Sequence, residues 1–180
     1  MNNEQYKQLS KIQSGLDERI VDQHGLEGRD LLDKKILALQ VELGELANEW
    51  RGFKFWSKDQ EPRTFDRVFY PERSTFIKTN PLLEEYVDCL HFILGIGLEK
   101  NFTHMIFEPL RDRENDITFQ FNQLFNKIGN FQRYQTTGNF IAIKSLFFGL
   151  GEMLGFTTDQ IVDAYMSKNE VNYARQDNAY

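Results

Sequence analysis

Residues 139–154 carry almost nothing but apolar side chains: Phe140, Ile141, Ile143, Leu146, Phe147, Phe148, Leu150 and Met153. A helix of that composition has little face to give to water, so other elements must bury it on most sides. No run in the chain reaches the roughly 18 apolar residues that a membrane span needs, so no membrane is expected as a partner. Elsewhere apolar residues recur at spacings of three and four, and 180 residues contain only 4 Pro and 12 Gly. A chain of this length is long enough to bury a core as one domain, here expected over residues 1–180.

The periodicity predicts six helices, near residues 3–21, 31–50, 81–100, 114–127, 139–154 and 157–174. Asp30 is placed to cap the second helix and Gly52 to stop it. Asn80-Pro81 announces the third, and Thr157 with Gln160 has capping-box spacing for the sixth. Residues 57–79, with Pro62 and Pro71, read as one long loop, in which 64–70 has the β-propensity for a short strand. The fold class expected is all-α, a helical bundle of about six helices.

Charge and cysteine usage narrow the function. The 16 Phe, 7 Tyr and 2 Trp need burial, which excludes global disorder. A net charge of -6 argues against a general nucleic-acid binder. The single cysteine, Cys89, allows no intrachain disulfide, and the N-terminal MNNEQYKQLS lacks an apolar leader segment. A cytoplasmic location is expected on both counts.

Two helices carry acids among apolar neighbours. Glu42 and Glu45 stand three apart in the second helix, and Glu85 and Asp88 three apart in the third. Each pair shares a helical face, with Cβ atoms roughly 5–6 Å apart. Two such faces turned together crowd four carboxylates, which is unfavourable unless cations fill the space. Hard divalent cations suit oxygen ligands: Mg²⁺ first, with Mn²⁺ as a substitute. Acids at this spacing are also the ordinary mark of a solvated helix face. A di-iron bundle would want two Glu-x-x-His units, and with only His24, His91 and His104 in the chain that reading is disfavoured.

Near the end, Lys168, Asn172 and Arg175 follow i, i+4, i+7 spacing, so an ammonium, an amide and a guanidinium share a face. Such a face can grip phosphate oxygens, or simply complement the helix dipole in solvent. Lys54 lies among the aromatics of Gly52-Phe53-Lys54-Phe55-Trp56, a pattern that also suits a snorkelling lysine.

Glu42-x-x-Glu45 followed by Glu85-x-x-Asp88 resembles the acidic signature of the all-α nucleoside triphosphate pyrophosphatases, the MazG-like superfamily. With Phe53-Lys54-Phe55-Trp56, His91-Phe92 and Lys168-Asn169-x-x-Asn172-x-x-Arg175-Gln176 in that order, the chain resembles the dimeric all-α dUTPases from about residue 12 to its end. The resemblance implies Mg²⁺-dependent hydrolysis of dUTP to dUMP and pyrophosphate, with dUDP a further candidate substrate. It implies Glu42, Glu45, Glu85 and Asp88 as metal ligands, Glu45 also polarising the attacking water. It implies Lys54, Lys168, Asn172 and Arg175 on the phosphates. Gln13 falls where the family recognises the base with an amide, and Asp17 where some members carry Asn. His91 is expected near the deoxyribose or uracil, and Trp56 as a wall. A homodimer and a mobile tail over 168–180 are likewise implied. The alternatives are a related pyrophosphatase for dCTP or a modified nucleotide, or a catalytically silent interaction module.

Overall fold

The computed structural model describes residues 1–70, 75–103 and 112–178. Residues 71–74 of the expected loop and 179–180 of the expected tail lie outside these. Six helices form: α1 (Asn3–His24), α2 (Leu32–Trp50), α3 (Pro81–Glu99), α4 (Ile117–Arg133), α5 (Thr137–Met153) and α6 (Thr158–Asp177). The all-α class holds. Between α2 and α3, β1 (Asp66–Tyr70) pairs antiparallel with β2 (Thr75–Thr79), Asp66 opposite Thr79 and Tyr70 opposite Thr75.

Helix α3 is the hub. It packs against α1, α2, α5 and α6, with α2 the most extensive contact, while α4 packs on α5 and α2. Its sequence explains the position: Tyr86, Val87, Cys89, Leu90, Ile93, Leu94 and Ile96 are all buried, which leaves little of its circumference for solvent. Helix α5 is buried from Ile143 through Gly151, as its composition demands. Within that run Lys144 lays its ammonium 3.6 Å from the centre of the Tyr6 ring, and burial pulls it down to about 8.

The caps are local chemistry. Asn80 accepts from the Leu83 N–H at the start of α3, and Thr157 and Gln160 form the reciprocal capping box of α6. Two expectations fail at termini. The N-cap of α2 is Leu31, without a side-chain cap, and the Asp30 carboxylate accepts from the Leu32 N–H at 3.0 Å instead. Its C-cap is Arg51 at φ 66, not Gly52. The guanidinium of Arg51 donates to Asp59 O at 2.7 Å and to its carboxylate at 3.1 Å, anchoring the following loop and offsetting the left-handed backbone. Gly52 serves a different need, because a Cβ there would run into the Trp50 ring. Helix α4 also starts later than expected, capped by Asp116, and runs through Gly129 to Arg133. Leu124, Ile128 and Phe131 share its buried stripe, and that packing outweighs the roughly 1 kcal/mol helix cost of a glycine.

No helix among the described residues is long and apolar enough to cross a membrane; only the bent pair α5–α6 passes by length and composition together.

Candidate active site

The extensive α2–α3 contact turns the two acidic faces together. Carboxylate oxygens of Glu42, Glu45 and Glu85 lie within 4.8 Å of one another. Glu45 is exposed, while Glu42 and Glu85 are half-buried. Crowding shows in the proton affinities. Burial, then the charges of Asp88, Glu45 and Glu42, pushes the Glu85 carboxyl up to about 7. Burial and the charges of Asp88 and Glu45 raise Glu42 as well. Three oxygen donors at this spacing fit one hard divalent cation, which would relieve the repulsion.

The fourth expected acid is turned elsewhere. Asp88 holds the Lys168 ammonium at 2.6 Å, and Lys168 also reaches Glu84 at 3.0 Å. Burial raises the Asp88 carboxyl, although its bond to Lys168 pulls the other way. Burial alone would lower the Lys168 ammonium, but its bonds to Asp88 and Glu84 outweigh that and hold it above its ordinary value. An ammonium from α6 thus stands beside the carboxylates as a counter-ion. Arg175 contributes to the same field, lowering the Asp88 carboxyl by its charge.

One turn along α3 from Asp88, His91 lines a cavity of about 360 Å³ together with Gln13, Asp17, Lys35, Phe92 and Asn172. That volume is in the range of small-molecule sites. The polar groups at its wall are linked. Gln13 Nε2 donates to Asp17 at 2.6 Å, and Gln13 Oε1 accepts from the Tyr165 hydroxyl at 2.8 Å and meets His91 Nδ1 at 2.7 Å. Lys35 bridges Asp17 at 3.0 Å and Glu99 at 2.8 Å. Tyr165 stacks on the His91 ring, centroids 4.1 Å apart and planes at 19°. Burial, with the Lys168 charge, drives the His91 imidazolium down to about 3, so the ring is neutral near pH 7.

Two expected residues stand apart. Lys54 donates to Asn48 at 2.5 Å on the surface, and Trp56 is 65% exposed, in edge contact with Phe53 and Phe55. Neither borders the cavity. The sequence reading passed over Lys35, Glu99 and Tyr165. Only Tyr165 left a signal: it precedes Lys168 by three residues and so belongs to the same side of α6.

A protein-family model described as dUTPase matches residues 5–69 and 70–180, almost the entire chain. No curated protein matches the chain.

Proposed function

Since the chain belongs to the dUTPase family, we propose that it hydrolyses dUTP to dUMP and pyrophosphate, with Mg²⁺ as cofactor and Mn²⁺ as a substitute. The observation that carries this reading is the convergence of Glu42, Glu45 and Glu85 on α2 and α3, the same two helices that help wall a cavity with a buried amide and a neutral imidazole. Glu42, Glu45 and Glu85 would hold the cation, and Asp88 would join them once Lys168 turns to substrate. A bound divalent cation would supply charge neutralisation at the phosphates and ease proton loss from water.

The chain's own groups do the rest. Glu45, the most open of the three, orients the attacking water and accepts its proton. The water oxygen bonds to the α-phosphorus and the bond from that phosphorus to the α,β-bridging oxygen breaks, releasing pyrophosphate. Lys168 and Arg175 neutralise the departing charge, with Asn172 and Lys54 as further phosphate donors. Lys168 must exchange Asp88 for phosphate to do so, and Lys54 must leave Asn48. The nucleoside occupies the cavity, its base against Gln13 and His91 with Asp17 behind them, and Trp56 covers it only if the 53–56 segment folds in. A cytoplasmic homodimer completes the reading.

Pyrophosphate release from dUTP, dCTP, dTTP and UTP, each with Mg²⁺ and with EDTA, tests it. Metal-dependent release from dUTP alone is expected, and dUDP belongs in the same panel with phosphate as readout. Release from another nucleotide in preference would overturn the base assignment. Release from none would overturn the activity.

A further inference from the structure

Gln13 is 4% exposed, and each end of its amide is committed. Asp17 sits at its Nε2, and the other oxygen of Asp17 takes the Lys35 ammonium at 3.0 Å. A carboxylate bound to an ammonium is an acceptor, so the Gln13 NH₂ must face it, and Oε1 must face the other way. That oxygen has two lone pairs. The Tyr165 hydroxyl fills one at 2.8 Å, and His91 Nδ1, at 2.7 Å, can only donate to the second. A neutral imidazole carries one N–H. His91 Nε2 therefore has none, and it is buried without a partner among the described residues.

We propose that Lys35 and Tyr165 are positioning residues, which fix the Gln13 amide from opposite ends and so hold His91, a residue of the cavity wall, in the Nδ1–H tautomer, with Nε2 a bare acceptor. Lys35 acts from α2 through Asp17 on α1. Tyr165 acts from α6, both through its hydroxyl and by stacking on the ring. Gly95 makes room for the first arm, since a Cβ there would sit 3.1 Å from the Asp17 carboxylate. Where a ligand reaches that nitrogen, the acceptor selects a ligand edge that presents an N–H or O–H. On the dUTP reading, that favours the imide N–H of uracil over the bare ring nitrogen at the same place in cytosine. The ligand choice rests on the proposed function, whereas the tautomer does not.

Two measurements test this. In ¹⁵N-histidine NMR at pH 7 on the intact chain, the His91 signal, identified by its loss in His91→Asn, should show a protonated Nδ1 and an unprotonated Nε2. A protonated Nε2 would overturn the tautomer, whatever the protein hydrolyses. In steady-state kinetics, Lys35→Met and Tyr165→Phe should each raise KM for dUTP by on the order of tenfold, leave kcat within about twofold, and narrow the preference over dCTP. Lys35→Arg, which keeps the charge, should restore KM. Equal loss of kcat for both nucleotides, or unchanged KM in the folded variants, would overturn the positioning role. The expected tautomer in a wild type that leaves dUTP intact would reject the dUTP reading and leave the tautomer standing.

Discussion

Glu45 is the exposed member of a trio whose other two carboxylates are held above their ordinary range. Replacing it by Gln removes one charge from a repulsive cluster, so the fold should be no less stable while turnover is abolished. Circular dichroism melting beside a dUTP assay checks both halves, and near-normal turnover would reject Glu45 as the base. The same crowding predicts a pH dependence for the metal-free protein. Glu85 moves from 4.5 to about 7 on folding, so between those values the native chain binds more protons than the unfolded one. Its contribution to stability is full below about 4.5 and is lost as pH rises through 7. Glu42 and Asp88 shift in the same direction. Stability should therefore fall from pH 5 to pH 8, by on the order of 1 kcal/mol once solvent screening is allowed for, and the melting temperature should fall with it. Glu85→Gln should flatten that slope. Lys168 lowers the proton affinity of Glu42 and Glu85, so it competes with any cation for the same field. Lys168→Gln should tighten Mn²⁺ binding in the absence of nucleotide, measured by calorimetry or electron paramagnetic resonance; an unchanged Kd would mean that ammonium and metal do not share the site.

Helix α5 passes so near α3 that a Cβ at Gly151 would collide with the Tyr86 hydroxyl. Tyr86 has nowhere to retreat: it is fully buried and stacked on Phe147, centroids 4.3 Å apart. Gly151→Ala should cost about 1–3 kcal/mol through overpacking. Gly138→Ala, in the first turn of the same helix with open space at its Cβ, should be neutral or slightly stabilising. Thermal melts of the pair separate close packing from helix propensity. Glycines also mark where sequence reading ends. The six helices are legible because spacing and caps act within a few residues, as Asn80-Pro81 and the Thr157–Gln160 box show. Gly129 misleads because what carries α4 past it is the burial of Ile128 and Phe131, which depends on neighbours far along the chain. The acidic pairs are legible as pairs for the same local reason. That Asp88 turns to Lys168, 80 positions away, or that Tyr165 meets Gln13 across 152, is set by how α1, α3 and α6 pack, and no spacing rule contains it.

At the scale of the whole molecule, α2 presents apolar side chains to solvent on the stripe that carries the exposed Glu45. Leu37 and Val41, 61% and 50% exposed, stand one turn apart on α2, and Glu45 continues the same stripe. Phe55, Trp56 and Phe65 add exposed rings in the segment that follows α2. Large apolar side chains are costly to leave in water, and a second copy of the chain is the simplest cover for them. Such a cover would also exclude bulk water from Glu45 and give Trp56 something to pack on. Light scattering at micromolar concentration should return twice the chain mass. Leu37→Glu combined with Val41→Lys lies outside the carboxylate trio, and the doubly substituted protein should stay helical and run as a monomer. Its dUTP turnover should drop with the loss of the dimer and recover in part at high protein concentration, where mass action restores pairing. A wild-type monomer would remove the homodimer from the proposal. A monomeric variant with full turnover would mean that each chain builds its site alone.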